Sequence, residues 1–161
     1  MKKTFILIAA ASWLFAANAY EHLWLYQGHW KGSRKAGAAT AVPVDVENQC
    51  GRIGTYFGCQ QTVDGKIGAV VLYVPGELPG HYHTQVILPD GQSLGRGEMT
   101  IEGDRWTFQS KSTENGQTTY YKTTNVFGGK NHIHFEQFES PDGEHWQQQA
   151  SGDETRTSKG H

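Results

Sequence analysis

Residues 99–108, with the sequence MTIEGDRWTF, carry an apolar-polar alternation on both sides of a turn signal. Met99 and Ile101 are separated by a polar residue before the turn, and Trp106 and Phe108 are separated by one after it. Alternation with a period of two places successive side chains on opposite faces of a strand. The stretch therefore predicts a β-hairpin with one apolar face and one polar face.

Turn signals of the same kind recur at intervals of about ten to fourteen residues, the spacing expected of short antiparallel strands. They occur at residues 64–65, 79–80, 90–91, 102–104, 115–116, 128–129, 142–143 and 152–153. The segments between them are predicted strands: 23–33, 42–47, 55–63, 66–74, 81–88, 92–101, 105–111, 117–127, 131–139, and 144–149 continuing through 153–158. Short connections predict an all-β fold, an antiparallel up-and-down meander that closes into a β-barrel of about 8–10 strands and so removes its edges.

The predicted strand at residues 69–74, with the sequence AVVLYV, is apolar at every position. A strand that is apolar on both sides is usually covered on both sides. We therefore expect this strand to lie beside the N-terminal segment of the mature chain.

The N-terminus has the three parts of a secretory signal peptide. Lys2 and Lys3 form a positive head, residues 5–16 are almost entirely apolar, and residues 17–19 supply a small-x-small cleavage pattern. The apolar run is shorter than the roughly 20 residues that a membrane-spanning helix needs. We expect cleavage after Ala19 and a periplasmic or secreted product.

The chain after the signal peptide, residues 20–161, has the size of one ordinary domain. The formal net charge of the whole chain is -2, and it becomes more negative when the two lysines of the signal peptide are removed. Proteins that bind nucleic acids need a cationic surface to neutralise phosphates. We therefore expect a single domain with no nucleic-acid partner and no membrane association after signal cleavage.

Cys50 and Cys59 are the two cysteines of the chain. An even number of cysteines in an oxidising compartment favours a disulfide. Their spacing is not Cys-x-x-Cys, and there is no third or fourth thiol for a zinc site. We predict a structural disulfide, with a pair of free thiols and a redox role as alternatives.

The first predicted strand contains Gly28 and Trp30 in a Gly-x-Trp arrangement. This motif, on the first strand of an all-β meander, resembles the lipocalin and wider calycin group. In that group the tryptophan packs at the closed end of the barrel against an arginine of the last strand, so the resemblance implies that Arg156 contacts Trp30. The Thr-Asp-Tyr-like turn of true lipocalins has no match here. The chain is therefore more similar to small bacterial secreted lipocalin-like domains of unassigned function, in which these residues hold the barrel together.

Aromatic residues are abundant for such a polar chain, with five tryptophans, seven tyrosines and seven phenylalanines. An aromatic-lined cavity suits an apolar or planar ligand, although a barrel core also uses aromatic residues as filling. The predicted ligand contacts are Trp106, Phe108, Tyr120, Tyr121, Ile133 and Phe135.

Two His-x-His pairs are the strongest candidates for metal chemistry, because residues two apart on a strand point to the same side. They are His81 with His83 and His132 with His134, and Glu136 shares the face of the second pair. The residues between the histidines belong to the apolar face, so we expect the histidines on the outer surface of the barrel. The alternative is a divalent metal or haem site that uses one or both pairs, and the two pairs would meet only if the polar face lined the lumen.

These observations favour a secreted or periplasmic, lipocalin-like protein that binds a small apolar or amphipathic molecule without a cofactor. No nucleophile elbow, phosphate loop or dinucleotide motif is present, and the spacing suggests no catalytic set of acid, base and nucleophile. The expected function is therefore not enzymatic. The alternatives are a metal- or haem-binding protein that uses the histidine pairs, and a module that binds another protein of the cell envelope.

Overall fold

The computed structural model describes residues 19–37 and 42–159, and the predicted signal peptide lies outside these ranges except for its last residue. A short 3-10 helix spans Glu21–Tyr26. Ten strands follow: β1 Gly28–Ala36, β2 Val44–Ile53, β3 Tyr56–Val63, β4 Lys66–Pro75, β5 His81–Ile87, β6 Ser93–Glu102, β7 Arg105–Glu114, β8 Gln117–Phe127, β9 His132–Ser140 and β10 Gln147–Ser158. None of the helical structure in these two ranges has the length and apolar character of a membrane-spanning segment.

The ten strands form one closed antiparallel barrel. Each strand pairs with the next one in sequence, and β1 pairs with β10 to complete the ring. Side chains alternate between the inside and the outside of the barrel: on β9, Ile133 and Phe135 are buried, whereas His132 is exposed. The predicted all-β, up-and-down barrel is confirmed.

The structure differs from the prediction at the beginning of the first strand, where residues 23–26 are helical. Leu23 and Tyr26 are both buried, and residues three apart lie on one side of a 3-10 helix. Strand β1 begins only at Gly28, whose φ of 124° lies in a region that residues with a side chain rarely adopt. The glycine of the Gly-x-Trp motif thus allows the chain to pass from the helix into the barrel wall.

Strand β4 lies between β3 and β5, so the expectation that it lies beside the N-terminal segment is wrong. In a meander without crossovers, the neighbours of β1 are β2 and β10. The outer face of β4 stays partly exposed, with Val74 at 40%. Ile53 of β2 and Leu72 of β4 both lie over Gly58, within 2.7 and 3.1 Å of the position that a Cβ would take there. Ile53 and Leu72 therefore fill the space that Gly58 leaves on the outer surface of the barrel.

The turn predicted at residues 152–153 is also wrong, because both residues lie inside β10. Gly152 marks a close approach of β10 to β1: a Cβ here would lie 2.0 Å from the carbonyl oxygen of Ser33. The ring of Phe135 lies on the same side, 2.6 Å from that position. Glycine inside a strand often marks such an approach. The glycine and aspartate at residues 152–153 are typical of a turn, but here the glycine is required because β1 and Phe135 pack closely against it.

The predicted disulfide between Cys50 and Cys59 is confirmed. The two residues face each other across β2 and β3, and both are buried in the barrel wall. No cysteine in the described ranges is free. Because disulfides form and persist in oxidising compartments, this bond indicates an extracytoplasmic environment.

An aromatic cluster fills the end of the barrel next to the helix. The ring of Tyr26 lies 5.7 Å from that of Trp30, 5.8 Å from that of Trp106 and 6.0 Å from that of Phe127, measured between centroids. The indole N–H of Trp30 donates a hydrogen bond of 2.8 Å to the carbonyl oxygen of Tyr26. Helix and cluster together close this end of the barrel.

Candidate functional site

The barrel contains a cavity of about 580 Å³ on the far side of the aromatic cluster. Leu94 and Tyr121 line it near the opposite end of the barrel and are 55% and 38% exposed. The cavity therefore opens to solvent at this end, and we call this opening the mouth. At the other end it is bounded by the aromatic cluster, and we call this boundary the floor. Small-molecule sites typically have volumes of about 300 to 1,000 Å³. The volume suits one small molecule.

The cavity wall combines apolar and polar side chains from most of the strands. Its apolar members include Val46, Val63, Ala69, Val71, Val86 and Phe108. Its polar members include Asn48, Gln61, Thr84, Asn125, Gln137 and Glu154. A mostly apolar body with a few polar groups is the kind of ligand that such a wall accommodates.

Glu154 is a buried acidic residue in the wall of this cavity, near the floor, and it is only 6% exposed. On β10 it pairs with Gly32 of β1, which has no side chain to cover it. The amide N–H of Asn48 donates a hydrogen bond of 2.8 Å to Oε1 of Glu154. Gln61 in turn donates to Oδ1 of Asn48 at 3.4 Å, which orients the Asn48 amide. Among the described residues, Oε2 of Glu154 has no hydrogen-bond partner.

The surroundings of Glu154 disfavour its charged form. Burial raises the pKa of this carboxyl group from 4.5 to about 7, and the hydrogen bond from Asn48 opposes the rise only in part. The ion pairs formed within the described ranges do not include Glu154. The carboxyl group is therefore divided between its protonated and ionised forms near neutral pH.

Two tyrosines, Tyr26 and Tyr73, line the same part of the cavity. Burial raises the pKa of both phenols well above 10, and the negative charge of Glu154 raises it further. The Tyr73 hydroxyl lies 3.8 Å from Sγ of Cys59. The region near the floor therefore offers one titratable carboxyl group beside hydroxyl groups that stay neutral at physiological pH.

Two basic side chains line the cavity elsewhere, and both have partners. Nε of Arg34 donates a hydrogen bond of 2.6 Å to Oε1 of Gln137. Nζ of Lys122 lies 4.2 Å from the ring centroid of Trp146 and 4.9 Å from that of Phe138, which are cation–π distances. Arg34 is therefore held beside Gln137, whereas Lys122 follows the lumen-facing Tyr121 on β8 and directs its charge to the outer face, over Phe138 and Trp146.

The structure separates the six predicted ligand contacts into three groups. Those that line the cavity are Phe108, Tyr121 and Phe135. Trp106 and Ile133 are fully buried in the aromatic cluster and its surroundings and do not line the cavity. Tyr120 lies on the outer face, where its ring packs against Gly143. Because neighbouring residues of a strand point to opposite sides, only one of the two adjacent tyrosines is able to face the lumen.

The first histidine pair lies on the outer face of β5. His81 is exposed, and Nδ1 of His83 lies 2.8 Å from a carboxylate oxygen of Glu98 on β6. Three strands, β6 to β8, separate this pair from the histidines of β9. The two pairs therefore do not meet.

The second pair lies on the outer face of β9 and shares one carboxylate. Nε2 of His132 and Nδ1 of His134 each lie 3.1 Å from Oδ1 of Asp153 on β10. The carboxylate beside this pair is thus Asp153, not Glu136. In the described ranges, no group of three or more histidine, cysteine or acidic residues is arranged to hold a metal ion. Both pairs lie on the outer face in this part of the chain, so a single site that uses all four histidines is not formed there.

Arg156 lies against Trp30 at the closed end of the barrel. The guanidinium carbon is 4.6 Å from the centroid of the indole ring, a cation–π distance. Arg156 also donates a hydrogen bond to the carbonyl oxygen of Leu25 in the helix. These contacts link the last strand, the first strand and the helix, which is a structural role.

Glu154 and Asn48 were not among the residues predicted from the sequence. The signal for Glu154 was available, because residues two apart on a strand share a face. Placing Arg156 inside the barrel against Trp30 therefore also places Glu154 inside. Asn48 is brought to Glu154 by the register of β2 on β1, which local sequence does not define.

Comparisons with known proteins identify the fold but no family. No protein-family model matches the sequence, and no curated protein matches it. The crystal structure of Rv2717c from Mycobacterium tuberculosis is 15% identical with a TM-score of 0.60, and the match covers 87% of this chain and 98% of that one. The S-type phycobiliprotein lyase CPES from Guillardia theta is 10% identical with a TM-score of 0.56, and the match covers 91% of this chain and 97% of that one. These likenesses agree with a calycin-like barrel and show the fold alone.

Proposed function

We propose that this protein is a secreted or periplasmic, lipocalin-like binding protein that holds one small apolar or amphipathic molecule inside its barrel and catalyses no reaction. The observation that carries the proposal is the cavity of about 580 Å³, which is open at the mouth and ends at the aromatic cluster. Its apolar wall removes an apolar body from water, and its few polar groups orient the ligand.

The proposal of binding without catalysis rests on the side chains in the cavity. A structural neighbour is named as a lyase, so the fold is compatible with enzymatic activity. In the described part of this chain, however, the cavity is lined by no histidine and no free cysteine. The buried carboxyl group of Glu154 therefore has no nucleophile or second base of these kinds beside it. This composition supports a site that holds a molecule rather than one that converts it.

Export by a signal peptide at residues 1–19 is part of the same proposal. It brings the chain into an oxidising compartment, where the disulfide between Cys50 and Cys59 forms. N-terminal sequencing of exported protein should begin at Tyr20. Exported material that still begins at Met1 would contradict cleavage at this place.

Ligand binding is tested by titrating the oxidised protein with N-phenyl-1-naphthylamine, an uncharged apolar fluorophore. We expect saturable binding of one molecule per chain. Val86→Trp puts a large ring into the cavity, and it should weaken binding by about tenfold or more, a loss of about 1.4 kcal/mol. Val74→Trp, on the outer face of the adjacent β4, is the matched control and should bind as the wild type does.

Undiminished binding to a folded Val86→Trp variant would place the fluorophore outside the barrel and contradict the proposal. Circular dichroism and thermal melting establish that both variants are folded. Native mass spectrometry of wild-type protein from a periplasmic extract then identifies the molecule that the cavity retains.

A further inference from the structure

The carboxyl group near the floor of the cavity lacks most of the partners that an ionised carboxylate accepts. A carboxylate offers about four acceptor sites for hydrogen bonds. The described residues fill one of them on Glu154, through Asn48, and leave Oε2 without a partner. A buried charge without partners is costly, whereas one paired with an opposite charge and hydrogen-bonded is tolerated. Glu154 therefore has an unfilled acceptor position in the cavity wall, and a positively charged hydrogen-bond donor would satisfy its ionised form.

None of the residues that the structure describes neutralises Glu154. The other charged or titratable side chains that line the cavity are Tyr26, Arg34, Tyr73, Tyr121, Lys122 and Glu139. Arg34 is hydrogen-bonded to Gln137, and Lys122 is held over Trp146. Arg156, on the same face of β10, lies over Trp30. In the described ranges, Arg34, Lys122 and Arg156 therefore each have a side-chain contact, and none of them forms an ion pair with Glu154.

We propose that the ligand of this cavity is a small organic cation, a protonated amine or amidine on an apolar body, whose N–H groups bind the carboxylate of Glu154. The inference rests on the proposed ligand-binding function and specifies its ligand class. Asn48 holds the carboxylate in place, and apolar wall residues such as Val71 and Phe108 contact the body of the ligand. Charge-assisted hydrogen bonds of this type are about twice as strong as neutral ones.

The pH dependence of affinity distinguishes this ligand class from others. Burial raises the pKa of Glu154 to about 7, so the empty carboxyl group is partly protonated at neutral pH. A cation binds the ionised form and displaces the proton, so its affinity rises with pH. A neutral molecule that accepts a hydrogen bond prefers the protonated form, so its affinity falls with pH. An anion is repelled by the ionised form.

The experiment compares three probes with the same ring and different polar groups: 2-naphthylmethylamine, 2-naphthylmethanol and 2-naphthoate. Isothermal titration calorimetry gives their affinities for the wild-type protein at pH 5.5 and pH 8. At pH 8 the amine should bind about tenfold or more tightly than the alcohol, and the naphthoate should bind most weakly. Between pH 8 and pH 5.5 the affinity for the amine should fall by about 30-fold, as protonation of a group with a pKa of about 7 requires.

Glu154→Gln removes the charge while keeping a carbonyl oxygen for the hydrogen bond from Asn48. This variant should lose the preference for the amine and bind the alcohol with an affinity within about twofold of the wild type. Glu136→Gln is the matched control, because it makes the same exchange on the outer face of β9, and it should keep the full preference.

Equal affinities for the amine and the alcohol in the wild type would overturn the cation specificity while leaving the binding function intact. A preference for the amine that survives in Glu154→Gln would place the recognition elsewhere and overturn the role of this carboxylate. Binding of none of the three probes would overturn both the cation specificity and the binding function.

Discussion

Replacement of Glu154 by glutamine should stabilise the empty protein at neutral and alkaline pH. The pKa of this carboxyl group is about 7 in the folded protein, against an ordinary value of 4.5. A raised pKa means that the folded state binds more protons than the unfolded state between these two pH values. The contribution of this group to the free energy of unfolding is therefore fully present below about pH 4.5, and it is lost as the pH rises through 7. One unit of pKa corresponds to about 1.4 kcal/mol, so the free energy of unfolding should fall by about 3 kcal/mol over this range.

The measurement is urea unfolding of the wild type and of Glu154→Gln at pH 5, 6, 7 and 8 without reductant. The stability advantage of the variant should grow by about 2 to 3 kcal/mol from pH 5 to pH 8, because glutamine has no charge to bury. Glu136→Gln, on the outer face of β9, should show no comparable growth. Parallel pH profiles for the wild type and Glu154→Gln would refute the reasoning, since they would mean that the carboxylate is well satisfied in the folded state.

The other predictions concern the closed end and the wall of the barrel. Trp30→Ala should lose about 3 to 5 kcal/mol of stability, because the ring is fully buried. Arg156→Ala should cost less, and a double-mutant cycle should show non-additive losses, since the two side chains are in contact; additive losses would argue against the contact. Replacing both Cys50 and Cys59 by serine should lower the free energy of unfolding by about 2 to 3 kcal/mol, which thermal melting measures. An unchanged melting temperature of the wild type in reductant would contradict this. Gly152→Ala should prevent normal closure of the barrel, because its Cβ would lie 2.0 Å from a carbonyl oxygen of β1, and wild-type melting would show that the strands are able to separate.

The strands of this barrel were predictable because they follow a local rule. The alternation in residues 99–108 defines two strands and their buried faces without reference to the rest of the chain. The helix at residues 21–26 has no such signature, since its apolar residues are contiguous. Leu23 and Tyr26 become its buried side only because a barrel end is present to cover. Local pattern therefore identifies the wall of the barrel but not the element that closes it.

The candidate site was only half predictable for a related reason. Alternation tells whether a side chain faces the lumen, but it does not tell how deep in the barrel that side chain lies. Trp106 and Phe108 share a face of β7, yet the first belongs to the closed core and the second to the cavity. Ile133 and Phe135 are divided in the same way on β9. The boundary between the packed core and the open cavity depends on the depth at which the helix closes the barrel. That depth is set by the whole fold and not by any one strand.

Because the helix and the aromatic cluster close one end of the barrel, its interior is a pocket with a closed end and not a channel through the protein. In the part of the chain that the structure describes, the helix and the cluster block the end opposite to Leu94 and Tyr121, so a molecule would enter and leave the cavity past these two residues. A ligand whose inner end is bound near the floor, by Glu154, would have its outer end at the mouth. The proposed ligand would therefore remain detectable from outside the barrel through its outer end.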